Sequence, residues 1–221
     1  MLIDDYINYS QKYQDMYGNK TIIFMQVGSF FEFYGIPEKN LGCNVDDICN
    51  ILEIQSTRKN KSNSTIDKNN PKMAGIPLYV VNKYINILTE NNYTIILIEQ
   101  TTLPPNPKRE VTKIISPGTN IETNTYINNN FLMCIYFSQI LNMNKNKVIA
   151  AYISYVDVNT NETYIINCEE NDTNINLEDV LKNINNIKPS EIVLFTDINT
   201  KSNLTLMKVL LNFIKIINGN I

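Results

Sequence analysis

Short apolar runs and helically spaced apolar stripes alternate along the chain, separated by polar stretches. From about Ile3 to Tyr17 the spacing predicts a helix, closed by Gly18, a common C-terminal stop. Thr21 to Val27 is mostly apolar, the pattern of a buried strand. Gly28-Ser29 interrupts it, and Phe30-Phe31-Glu32-Phe33-Tyr34 follows as a second extended piece rich in aromatics. A short helix is predicted over Val45 to Leu52. A longer one, over about Leu78 to Asn91, carries Val81, Tyr84, Ile85 and Leu88 on one face. Between the two helices, Arg58 to Lys72 is polar and rich in Asn and Lys, which predicts an exposed loop or hairpin tip. Strands are expected at Thr94 to Glu99 and Glu110 to Ile115.

Ser116-Pro117-Gly118-Thr119 reads as a turn, and Asn120 to Asn130 is polar with little periodicity. That stretch sets an expected boundary between a domain at 1–120 and another at 130–221. Beyond it, Phe131 to Gln139 and Val148 to Val158 read as strands. The turn Asn159-Thr160-Asn161 then leads to a strand at Thr163 to Cys168, a hairpin signal. Leu177, Val180, Leu181, Ile184 and Ile187 mark an amphipathic helix, followed by a strand at Glu191 to Phe195 and a helix at Leu204 to Ile217. Strands that run together and then alternate with helices define the expected class: α/β, two domains, each a mixed sheet with helical cover.

Composition narrows the chemistry. The 221 residues include 43% hydrophobic and 19% charged positions, a globular balance. Net charge is −3, and the first 125 residues hold 12 basic against 13 acidic side chains, so nucleic-acid affinity would have to rest on local placement of charge. There is no histidine, which removes Ser-His and Cys-His nucleophilic catalysis. Cys43, Cys49, Cys134 and Cys168 form no Cys-x-x-Cys pair, so buried, reduced thiols of an intracellular protein are expected rather than a metal site. No apolar run reaches the ~18 residues of a membrane span, and the acidic N-terminus lacks a signal-peptide pattern.

The sharpest chemical signal lies in Phe24-Met25-Gln26-Val27-Gly28-Ser29-Phe30-Phe31-Glu32-Phe33-Tyr34. In an extended piece Phe30 and Glu32 share a face, two residues apart. Proteins that kink DNA push apolar side chains between base steps, and a neighbouring polar group can read the displaced base. Taken alone, the pattern fits a core strand with Glu32 at its rim at least as well.

The segment resembles the mismatch-recognition strand of the MutS family of mismatch-repair proteins, whose pattern runs Gly-x-Phe-Tyr-Glu-Leu-Phe. Further similar pieces follow in order: Met73-Ala74-Gly75-Ile76-Pro77, then Asn82, Tyr84 and Leu88, Ile98-Glu99-Gln100, Arg109-Glu110-Val111 and Ser116-Pro117-Gly118-Thr119. The resemblance covers Tyr13 to Thr119 well. It extends more weakly through Ala150 to Glu169 and Lys188 to Phe195, which look like the family's ribonuclease-H-like connector. It implies that Phe30 is a stacking wedge and that Glu32 contacts the mispaired base. Departures from the family include Gln26 where a basic residue is frequent, Phe31 in place of Tyr, and Leu78 in place of Tyr.

Arg58, Lys59, Lys61, Lys68 and Lys72 oppose only Asp67, so that loop is a second candidate, for phosphates flanking the distorted step. An unpartnered solvated loop fits equally. The chain lacks a Gly-x-x-x-x-Gly-Lys-Ser/Thr phosphate loop, so no catalytic residue and no cofactor are assigned to it. ATP, Mg²⁺ and a dimer are expected only of a longer parent protein. Partners implied by the resemblance are mismatched double-stranded DNA and, through the connector, other repair proteins. Two readings of the second half stay open. Asp157 and Asp197, at the ends of predicted strands, could serve a metal-dependent ribonuclease-H-like nuclease, though turn formation explains them as well.

Overall fold

A computed structural model describes residues 2–103, 105–120, 129–141, 147–169 and 178–196. The chain divides into two compact units, Met1–Thr125 and Tyr126–Ile221. The predicted helix at Leu204 to Ile217 and Asp197 lie outside the described residues, as do most positions of the expected boundary.

The first unit begins with helix α1 (Leu2–Tyr17), whose buried stripe is Ile3, Tyr6, Ile7, Ser10 and Tyr13. Strand β1 (Thr21–Val27) follows, then β2 (Phe30–Ile36), the two-residue β3 (Leu41–Gly42) and helix α2 (Val45–Leu52). The Asn44 side chain caps α2 by accepting the Asp47 N–H. Next come β4 (Thr57–Arg58), β5 (Lys72–Pro77), helix α3 (Val81–Glu90), β6 (Thr94–Gln100) and β7 (Arg109–Ile115). The seven strands form one sheet in the order β4-β5-β2-β1-β6-β7, with β3 paired to β2. β1 and β6 are parallel and the other pairs antiparallel, so the sheet is mixed.

Register fixes which side chains share a face, because directly paired residues point the same way. Glu32 lies opposite Met25 on β1 and Gly75 on β5, and Phe30 lies opposite Val27 and Pro77. This face carries α1: Tyr6 packs edge-on against Tyr34, with ring centroids 5.0 Å apart. On the other face Phe24 stacks on Phe31 and Phe33, at 6.3 and 5.8 Å. That side joins Ile48 and Leu52 of α2 and Ile85 and Leu88 of α3 in one core. Burying a side chain of this size contributes roughly 1.5–3 kcal/mol, so the aromatic pairs on the α2–α3 side are a large part of what fixes the sheet.

One element was not foreseen and one expectation changes. Lys72–Pro77 is a strand although Gly75 and Pro77 break the usual strand pattern, and the helix predicted from Leu78 begins at Val81 after a tight turn over Leu78–Val80.

The second unit contains β8 (Phe131–Leu141), β9 (Lys147–Asp157), β10 (Thr163–Glu169), helix α4 (Glu178–Ile187) and β11 (Glu191–Thr196). They form a second mixed sheet, in the order β10-β9-β8-β11, with β8 and β11 parallel. Val180 and Ile184 of α4 cover Met133, Ile135, Phe137 and Ile153. All four cysteines are free. Cys49 and Cys168 are buried as expected, whereas Cys43 and Cys134 are only half-buried. Burial pushes the Cys43 thiol up to about 12 and the Cys49 thiol up to about 11, which leaves little reactive thiolate.

Candidate nucleic-acid interface

The β1–β2 connection is a two-residue turn, since Val27 pairs with Phe30. Gly28 has φ of 60° at its first central position, a backbone that a residue without Cβ adopts freely and that suits the twist of a hairpin. Neighbouring strands brace the turn. The Leu78 N–H donates to the Ser29 carbonyl at 3.0 Å. The Gln26 side chain accepts the Gln100 N–H at 2.8 Å and donates to the Gly28 carbonyl at 3.2 Å. The Arg109 Nε donates to the Gln26 carbonyl at 2.9 Å. Gln26, which departs from the family's frequent basic residue, therefore works as a brace with both ends of its amide engaged.

Beyond the turn the strand alternates sharply. Phe31 and Phe33 are 2% and 0% exposed, whereas Phe30 is 43% exposed and Glu32 half-buried. Ile23 and Phe24, in the preceding strand, are wholly buried. Gly75 on β5 lies directly across from Glu32, and a Cβ added there would meet the Phe30 ring and Glu32 Cγ at 3.6 Å, an ordinary van der Waals contact. Phe30 and Glu32 thus rest beside a bare stretch of β5 backbone. Single exposed hydrophobes are common, and Tyr79, Leu103 and Phe195 are more exposed than Phe30; what sets Phe30 apart is its place beside the braced turn and on the face of Glu32.

Cations lie near this pair, though not those singled out in the sequence. An open groove of about 540 Å³ is lined by Asp5, Asn8, Tyr9 and Lys12 of α1, by Met25, and by Pro107, Lys108 and Arg109. Met25 is the cross-strand partner of Glu32, so Lys12, Lys108 and Arg109 border the same sheet face. The helical spacing of positions 5, 8, 9 and 12 was readable as one stripe. Their meeting with 107–109 depends on β6 and β7 folding alongside β1, which local pattern does not reveal.

The loop from Arg58 to Lys72 lies at the other end of β2. Arg58 pairs with Lys72, and Lys72 with Gly35, five residues from Phe30, or about 17 Å of strand. The base of the loop is therefore several base-pair steps from Phe30 along the strand. Its interior is built around Asn70, 3% exposed, whose side chain accepts the Asn60 N–H at 2.7 Å and donates to the Asn63 and Thr65 carbonyls. Arg58 donates to the Lys61 carbonyl, and Lys68 pairs with Asp4 at 3.3 Å. Lys59 and Lys61 are exposed. Lys72 lies on the α2 face and meets Asp46 at 2.5 Å, holding that carboxyl below its ordinary value.

In the second unit Asp157 is 2% exposed and accepts the N–H groups of Asn130 at 3.2 Å and Asn159 at 3.0 Å. Burial pushes its carboxyl up, but these N–H donors and Thr160 outweigh burial, and the net shift is downward. This is the turn-forming arrangement. Among the described residues no group of three or more Cys, Asp or Glu side chains converges as a metal site would require, and no helix is long and apolar enough to cross a membrane.

The fold and tip together define an α/β domain that presents an exposed aromatic on a braced hairpin. Comparison with known proteins gives it a family. MutS domain I matches residues 3–124, and the chain belongs to the MutS family. It is 30% identical to the DNA mismatch repair protein MutS of Lactococcus lactis over 198 residues, 86% of this chain and 20% of that protein. It is 28% identical to MutS of Macrococcus caseolyticus over 222 residues, 98% of this chain and 21% of that protein. A mutS homologue of Acanthamoeba polyphaga mimivirus is 27% identical over 194 residues, 86% of this chain and 17% of that protein. The chain spans about a fifth of the length of these relatives.

Proposed function

We propose that the chain binds mismatched or distorted duplex DNA as part of a mismatch repair protein, with Phe30 inserted as a wedge and Glu32 contacting the displaced base. The observation that carries this reading is the exposure of Phe30 in a strand whose other phenylalanines are buried. Magnitudes explain the selectivity. Separating a stacked step costs a few kcal/mol, whereas an aromatic side chain stacked on a base contributes ~1–3 kcal/mol. On a well-paired duplex the two nearly cancel or insertion loses. Where pairing is already defective the separation costs less, and insertion wins. Lys59 and Lys61, with Lys12, Lys108 and Arg109, supply phosphate contacts that position the duplex without reading sequence. The second unit acts as the connector that docks other repair proteins, and ATP hydrolysis and dimer formation belong to the full-length parent.

Fluorescence anisotropy with mismatched and matched duplexes at fixed salt tests the reading. Phe30→Ala is expected to weaken mismatch binding by roughly ten- to a hundredfold with little change in folding. Glu32→Ala removes a carboxylate near phosphates, so affinity for matched duplex is expected to rise while discrimination falls. A Phe30→Ala protein that unfolds, or that keeps wild-type discrimination, returns Phe30 to a structural role.

A further inference from the structure

The family's recognition pattern ends Glu-Leu-Phe, and the same positions here read Glu32-Phe33-Tyr34. This chain therefore carries a hydroxyl where that pattern has an unsubstituted ring. Tyr34 is two residues beyond Glu32 and on the same face of β2, and its hydroxyl donates a hydrogen bond to Oε2 of Glu32. The donor is well fixed. Tyr34 is 2% exposed, its ring is held edge-on by Tyr6, and its backbone carbonyl accepts the Cys43 N–H at 3.0 Å. Burial, and then the Glu32 carboxylate, push the Tyr34 phenol far above its ordinary value, while the charge of Arg109 opposes them. The phenol therefore keeps its proton across the physiological range.

We propose that Tyr34 is a positioning residue for recognition: it pins the half-buried Glu32 through Oε2 and leaves Oε1 as the oxygen available to a base edge. This deepens the proposed wedge reading and rests on it. A long side chain ordered beforehand loses less freedom on binding, and a carboxylate with one oxygen engaged meets a base in one orientation rather than several. Glu32 discriminates better for being held, and Tyr34 does so without touching DNA.

The test is a double-mutant cycle read as the ratio of matched to mismatched Kd, in the protein as encoded by its complete open reading frame. Wild type, Tyr34→Phe, Glu32→Ala and the double variant are compared, with Tm followed alongside. Tyr34→Phe is expected to lower the ratio about three- to tenfold, the scale of one hydrogen bond's net contribution, while Tm stays near wild type. In the Glu32→Ala background the same substitution is expected to leave the ratio unchanged. A wild-type ratio in Tyr34→Phe overturns the proposal, as does an equal loss in both backgrounds, which would mark a purely structural tyrosine. If Glu32→Ala itself keeps the wild-type ratio, the role of Glu32 fails first and that of Tyr34 falls with it, a result distinguishable from the other two.

Discussion

The two ends of strand β2 make opposite use of their surface. At the Phe30 end a large apolar side chain stands open on a hairpin braced by Leu78 on one side and by Gln100 and Arg109 on the other. At the other end the Arg58–Lys72 loop turns inward around Asn70, and Arg58, Lys68 and Lys72 are engaged with groups of the chain itself. Both regions stood out in the sequence, one for aromatics and one for charge. The contrast teaches that the exposed hydrophobe is the more informative of the two. A surface cation is cheap to place and readily finds a carboxylate, whereas an exposed aromatic forgoes burial energy that the same strand collects at Phe31 and Phe33.

Substitutions sharpen that contrast, starting with the largest effect. Phe33→Ala, adjacent to Glu32 and on the opposite face, is expected to destabilise the first unit by about 3–5 kcal/mol in urea unfolding, because it empties a fully buried site. Phe30→Ala should shift the same curve hardly at all; equal losses from the two would erase the distinction between wedge and core. Asn70→Ala comes next. It strips three hydrogen bonds from the loop interior and should cost about 1–3 kcal/mol, whereas a loop that is merely solvated would tolerate it.

Charge substitutions are smaller. Lys72→Ala should cost less than about 1 kcal/mol in stability, since its pair with Asp46 is half-open to solvent, and should leave the salt dependence of DNA binding unchanged. Lys59→Ala and Lys61→Ala should each weaken matched and mismatched binding alike, lowering the salt slope by about one per lost phosphate contact. A change in discrimination instead would bring the loop to the wedge. Asp157 gives the smallest effect, present at neutral pH and lost in acid. Its carboxyl is depressed below 3.8 in the folded chain, so its stabilisation is full at neutral pH and fades as the pH falls through and below that value. The Tm gap between wild type and Asp157→Asn should therefore narrow below about pH 4, and a gap constant down to pH 2 would remove the turn role.

Much of this architecture was legible. β1 and α2 formed over the residues their apolar patterns marked, and the alternation of Phe30 to Tyr34 already put Phe30 and Glu32 on one face. What stayed hidden had physical reasons. β3 and β4 are two residues long, too short to show a period of two. β5 was concealed by Gly75 and Pro77, neither of which favours a strand interior. The groove of Lys12, Lys108 and Arg109 joins segments nearly a hundred residues apart in sequence, and Lys72 was separated from Phe30 only by strand register. The brace formed by Gln26 was likewise invisible, because it needs β6 and β7 in place beside β1.

The chain contains no tryptophan, so Phe30→Trp would place a single indole at the tip as its own reporter. In the free protein its emission should be that of a solvent-exposed indole. On a mismatched duplex it should be quenched by stacking on a base, and on a matched duplex at equal occupancy it should change little. A blue-shifted emission before DNA is added, or the same response on both duplexes, would contradict the assignment of Phe30 as the wedge.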